Sequence, residues 1–311
     1  MSGVDHTAAL GGDTPLFDPT APLTATGNLR RRMFVSRLVD GSAGIAALVA
    51  VALLGIVLYA VVSRGAKALS LEFVFTNPQG LTGGGIFNSL LGSFEVVMIG
   101  AVIAAPIGIL TGLYLTEFAG RRSRTGRMLT VALDVLQGVP TIVTGLFIFG
   151  LLVIPLHQQS GIAGAVALAI VMLPLMARAS QEVLLLVPAS LREAADSLGV
   201  ARWRAVLTVI VPAAAGGIIT GVILATARAA GETAPMLICN SIFNPNTTQL
   251  NPLHGVPNVP MLIYTAYDLA VPDALTRLWG AAFVLLLLIL IANVGARLLL
   301  ARSRAKMGGG A

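Results

Sequence analysis

Two arginine–glutamate pairs stand inside stretches of this 311-residue chain that are otherwise apolar: Arg178 with Glu182, and Arg228 with Glu232. If the flanking residues are helical, members four apart lie on one face. A guanidinium presents a planar fork of donors that fits the oxygens of a carboxylate or another oxyanion. Such arginines therefore suit the guidance of an anion. The same spacing equally lets each glutamate neutralise its arginine so that the helix inserts, because an arginine at mid-bilayer is unfavourable by about 2.5 to 3.5 kcal/mol. Glu95 and Asp134 are single acids in apolar surroundings and read as buried partners for an arginine on another helix. A third group is polar: Glu193-Ala194-Ala195, three further residues, then Gly199, with Val209 and Val211-Pro212 beyond. Its composition predicts a short helix over Ser190 to Leu198, stopped by Gly199 at positive φ, and a second short helix through Trp203. Two short helices at an angle would form a knob.

Other chemistry is excluded by what is missing. The single cysteine, Cys239, allows no intramolecular disulfide, and His6, His157 and His254 have no metal-ligand spacing with it. The two lysines, Lys67 and Lys306, lie outside any G-x-x-x-x-G-K-[ST] loop, so the chain does not bind ATP in that manner. A net charge of +6 raises nucleic acid as a partner, but the basic residues sit between apolar runs rather than on a soluble face interleaved with aromatics.

The elements that must position these residues follow from composition. Hydrophobic residues are 56% of the chain and charged residues 11%, against about 25% charged in soluble proteins. Six apolar stretches are long enough to cross a bilayer: near Gly41–Val62, Asn88–Phe118, Met128–Leu156, Ile162–Leu186, Ala205–Cys239 and Leu275–Leu300. Backbone groups in hydrocarbon must be paired within the segment, which predicts an all-α integral membrane fold. Pro106, Gly138 with Pro140, and Gly231 with Pro235 predict tilting or kinking in the second, third and fifth stretches. Fifteen of the twenty basic residues fall on one side, among them Arg30 to Arg32, Arg121, Arg122, Arg192, Arg202 and Arg302, which makes that side and both termini cytoplasmic. The outer side keeps Arg64, Lys67 and Arg277. In this frame Arg228 lies in the outer half of the membrane and Arg178 toward the inner half. Residues 1–40 are expected to form a cytoplasmic disordered tail, 41–300 the transmembrane domain with the knob at 188–204, and 301–311 a second cytoplasmic tail. The outer segment from Asn240 is expected to be a loop followed by a short interfacial helix at Met261–Asp268, covering a pore mouth or meeting a partner.

The Glu193-Ala194-Ala195…Gly199…Val211-Pro212 pattern resembles the EAA motif of binding-protein-dependent ABC permeases, with valine at the usual Ile and Leu sites. The stretches Gly84–Ala119, Asp134–Phe149 and Ala227–Leu237, the last containing R-A-A-G-E-T-A-P, resemble the PstA-type permeases of phosphate-specific transporters. That resemblance implies a six-helix type I ABC importer permease with cytoplasmic coupling helices, bearing no catalytic site. It implies that Glu193, Ala194, Ala195 and Gly199 seat against a separate ATPase. The implied partners are a second homologous permease (PstC-like), an ATPase dimer (PstB-like) that binds ATP and Mg, and an extracytoplasmic phosphate-binding protein (PstS-like). The anion would be phosphate, with Arg228, Glu232, Arg178 and Glu182 as candidate pathway residues; sulfate, molybdate or another oxyanion is the rival substrate, and a secondary transporter the rival class.

Overall fold

The computed structural model describes residues 27–80, 83–120, 123–242, 250–269 and 271–308. Residues 1–58 and 59–311 form two units. The described part of the first unit belongs to α1 (Gly27–Gly65), whose apolar side chains are exposed. The helix begins at Gly27 rather than near Gly41, so the expected tail over residues 1–40 is helical from residue 27 onward. The run LRRRMFVSRLVD contains no Gly or Pro, and arginine and leucine extend an already nucleated helix readily. Residues 1–26 lie outside the described residues.

In the second unit, a short helix α2 (Leu71–Phe75) is capped by Ser70, whose hydroxyl accepts from Phe73 N–H. A two-residue ladder pairs β1 (Pro78–Gln79) antiparallel to β2 (Gly83–Gly84). Then follow α3 (Phe87–Leu113), prolonged by a π-turn over Tyr114–Phe118; α4 (Arg124–Gly138); α5 (Thr141–Ile148); α6 (Ile154–Leu156); and α7 (Gly161–Leu185). The short helices α8 (Ala189–Ser197) and α9 (Arg202–Ala205) lead through a π-turn over Val206–Ile210 into α10 (Val211–Ala229). The chain closes with α11 (Ala234–Cys239), α12 (Val259–Leu269) and α13 (Pro272–Gly308). Among the described residues, five helical runs are long and apolar enough to span a membrane, and six if the bent pair α4–α5 counts as one. The all-α membrane architecture expected from composition is the one found.

Helix α7 is the hub. Glycines on α3 let its backbone approach: a Cβ at Gly100 would lie 2.9 Å from Ala165 O, and one at Gly112 would lie 2.7 Å from Ala177 O. Lipid tails are as apolar as the side chains, so no hydrophobic effect drives one helix onto another, and small residues that permit close dispersion contact hold the pair together. On the other side Gly217 and Gly221 of α10 fit against Val183 and Ala179. Val96, Ala104, Leu168, Met172, Ala225 and Ala229 share one buried cluster.

Two expected spans are broken. The third is not one kinked helix but α4 and α5, bent by 101° at Val139–Pro140. Proline has no N–H to donate and disfavours helical backbone in the residue before it, which ends α4 at Gly138. The fifth stops at Ala229, turns through Gly231–Glu232 and resumes as α11. Helix α5 packs against α11, and a Cβ at Gly145 would meet Pro235 Cα at 3.3 Å, so the two breaks are close neighbours.

The outer segment, of which residues 243–249 lie outside the described set, packs down on the helix ends. Asn240 donates to Val256 O (3.1 Å) and accepts from Val256 N–H (2.7 Å), while Asn258 caps α12 by accepting from Met261 N–H (2.9 Å). Buried non-helical backbone is tolerated here because these polar groups are paired. The short helix expected after the loop is α12, yet its first turns are buried against Ile86, Ala281 and Val284 rather than lying on a surface.

Candidate functional site

The knob forms as its residues dictate. Helix α8 ends at Ser197, Gly199 follows at φ +67, and α9 begins at Arg202. Glu193, Ala194 and Gly199 are exposed, whereas Ala195 is buried. The knob is anchored by a carboxylate on another element. Glu117, in the π-turn after α3, has a fully buried side chain and accepts from Arg192 Nη2 (2.8 Å) and Arg202 Nη2 (2.9 Å). Arg192 also donates to Leu184 O (2.8 Å) and Val187 O (2.6 Å), which closes the end of α7. Asp196 lies 3.8 Å from Arg202.

Among the remaining charges within the spans, neither expected pairing exists. Arg178 binds Asp134 on α4 and donates to Gln181 Oε1 (3.0 Å), while Glu182 is exposed with no ion pair among the described residues. Asp134 is thus the cross-helix partner of an arginine, but its side chain is 59% exposed rather than buried. Arg228 and Glu232 form no ion pair, because α10 ends at Ala229 and the turn takes Glu232 off the helix face that a spacing of four assumes. Arg228 is exposed and Glu232 half-buried. Glu95 has one carboxylate oxygen that is buried and unpartnered. Ala229 belongs to the buried cluster that α7 enters from Ala165 to Met176, so Arg228 lies about 6 to 23 Å from the first residue of α7 at 1.5 Å per residue. Arg178 stands near the opposite, knob-bearing end of α7.

Residues 104–305 match the family model described as "binding-protein-dependent transport system inner membrane component". The chain belongs to this family. It is 37% identical over 246 residues to the phosphate transport system permease protein PstA of Haemophilus influenzae, covering 78% of this chain and 85% of that protein. With PstA 1 of Mycobacterium tuberculosis strain H37Rv it shares 38% identity over 218 residues, 70% of each chain. Among solved structures, an inward-facing MetNI methionine ABC transporter superposes with a TM-score of 0.55 at 18% identity, covering 70% of this chain and 94% of that one. This last likeness shows the fold alone, that of an ABC transporter permease.

Within this permease family fold, sequence reasoning missed the Glu117 cluster. Arg192 and Arg202 were legible as part of the cytoplasmic excess of positive charge, which assigns them a side and no partner. The available signal was Glu117 itself, an acid at the end of an apolar run, where a carboxylate needs a counter-charge. Arg277 was missed too. It is only 4% exposed and donates to Gly85 O (2.8 Å), linking α13 to the segment just before α3, a partner that its assignment to the outer side did not give.

Proposed function

We propose that this chain is one of the two membrane-spanning subunits of an ATP-driven phosphate importer. It forms half of the translocation pathway and couples it, through residues 188–204, to a separate ATPase dimer that binds ATP and Mg. A second homologous permease completes the pathway, and an outer binding protein delivers phosphate. Both termini and the knob face the cytoplasm, as the arginine distribution demands. PstA relatives covering most of the chain support phosphate as the substrate.

The observation that carries the reading is Arg228: an exposed guanidinium at membrane depth, one residue before a helix break and without an acidic partner among the described residues. A charge in that position must face water, another subunit or a ligand, because lipid cannot solvate it. Charge-assisted hydrogen bonds contribute about 1.5–3 kcal/mol, so Arg228→Gln should lower uptake of labelled phosphate about 10- to 150-fold in an assembled complex. Since no ion pair links it to Glu232, the substitution strands no buried carboxylate, and adding Glu232→Gln should restore nothing. Arg228→Lys should also be impaired, because an ammonium lacks the planar fork. Recovered uptake in the double variant, or uptake competed equally by sulfate or molybdate, would overturn the reading.

A further inference from the structure

We propose that Glu117 is a positioning residue through which movement of the docking knob reaches α3, so that three helices rather than two answer the ATPase. The inference rests on the reading of residues 188–204 as the ATPase-docking segment. Covalently, the knob is joined to α7 before it and, through the π-turn over Val206–Ile210, to α10 after it. Helix α3 ends far away in sequence; Leu113 near its end shares a buried apolar cluster with Val187 and Val206 on either side of the knob, and Glu117 adds the ion-paired contact to the knob itself.

Three features distinguish this from simple charge neutralisation. First, one arginine would neutralise Glu117, yet two bind it, and they come from different helices. Arg192 of α8 engages both carboxylate oxygens with Nε (3.2 and 3.4 Å), while Arg202 of α9 takes Oε2. Second, the same guanidinium of Arg192 holds Leu184 O in the last turn of α7 and Val187 O just beyond it, so Glu117, the knob and α7 share one fork. With Asp196 beside Arg202 the four charges balance, and none is left to draw the cluster apart. Third, two of the three π-turns among the described residues flank this junction, Tyr114–Phe118 holding Glu117 itself and Val206–Ile210 following α9, while the other, Phe149–Val153, lies elsewhere. Such wide turns recur at functional sites and carry an extra residue in the ladder, which gives the backbone room to shift. A small tilt of the knob would then pull the end of α3 through a buried, hydrogen-bonded contact, and packed helices respond to such pulls by moving between discrete arrangements.

The test uses the whole complex, purified with its ATPase and reconstituted with phosphate-loaded binding protein. Glu117→Gln should assemble and retain the ATPase, hydrolyse ATP with little response to the binding protein, and lose at least about fivefold in phosphate uptake per assembled complex. Glu117→Asp, which keeps the charge, should regain part of the response. A merely structural role would lower yield or thermal stability and leave the ratio of stimulated to unstimulated hydrolysis unchanged. That unchanged ratio, with normal uptake, would overturn the proposal. If Glu117→Gln fails to assemble, Arg202→Gln decides: Arg202 is the more exposed arm, and Glu117 keeps Arg192. Assembly with a reduced response supports the proposal, and failure to assemble or an unchanged response overturns it. The docking reading fails separately, if the ATPase stays bound when the knob itself is disrupted.

Discussion

Gly199 is the residue whose replacement most directly tests whether the shape of the knob matters. Its φ of +67 lies in the left-handed region, and a Cβ built there meets nothing within 4 Å. Any penalty is therefore conformational rather than steric crowding by a neighbour. An L-residue in this region costs about 1–2 kcal/mol, and a β-branched one lies toward the upper end of the range of about 1–3 kcal/mol for strained backbone. One to two kcal/mol changes a two-state population by a factor of about 5 to 30. Since Asn visits this region with local hydrogen bonding, the order of damage should be Asn least, Ala intermediate and Val most. The assay is ATPase retained per permease after detergent purification, together with phosphate uptake. Gly199→Val behaving as wild type would refute a role for the turn. Gly199→Asn as damaging as Gly199→Val would show that the partner needs bare backbone at this point, and would refute the conformational argument.

Two further predictions concern sidedness and the outer segment. In a background lacking Cys239, a cysteine at exposed Ser197 should be shielded from an impermeant thiol reagent added outside cells, and one at Gln158, at the other end of α7, should react; the reverse pattern would invert the orientation. Asn240→Ala removes both bonds to Val256; Val256 O keeps its bond from Asn258 Nδ2 (3.3 Å), while the buried Val256 N–H is left unpaired at about 1–3 kcal/mol. Amide exchange over 250–258 should rise, and unchanged exchange would show that the segment is held by other contacts.

What was legible in the sequence was whatever depends on local pattern. Six apolar runs, the helix stop at Gly199 and the breaks near Gly138–Pro140 and Gly231 all follow from residue composition within a turn or two. The severity of the breaks was not legible, because a 101° bend depends on where the half-helices find packing, and α5 finds α11. The burial of the outer segment was hidden for a related reason. Its proline- and asparagine-rich composition reads as a solvated loop, but Gly92 allows Pro257 to lie directly on α3, where a Cβ would meet Pro257 O at 2.0 Å.

Charge partners were the least legible feature, since a spacing of four identifies neighbours only while the helix continues. Arg178 passes over Glu182 for Asp134, on a different helix, and Glu117 draws its arginines from beyond two spans. Arg228 is the instructive case. The helix ends one residue after it, so the acid that would have neutralised it in a continuous helix is turned away. Gly231 and Pro235, which interrupt the helix, therefore also leave the arginine uncommitted. In a lipid environment an uncommitted guanidinium is tolerable only beside water or a polar partner. The break and an arginine without an ion pair among the described residues are thus two consequences of the same short run, Arg228 to Pro235, which is the feature that the proposed anion-guiding role of Arg228 relies on.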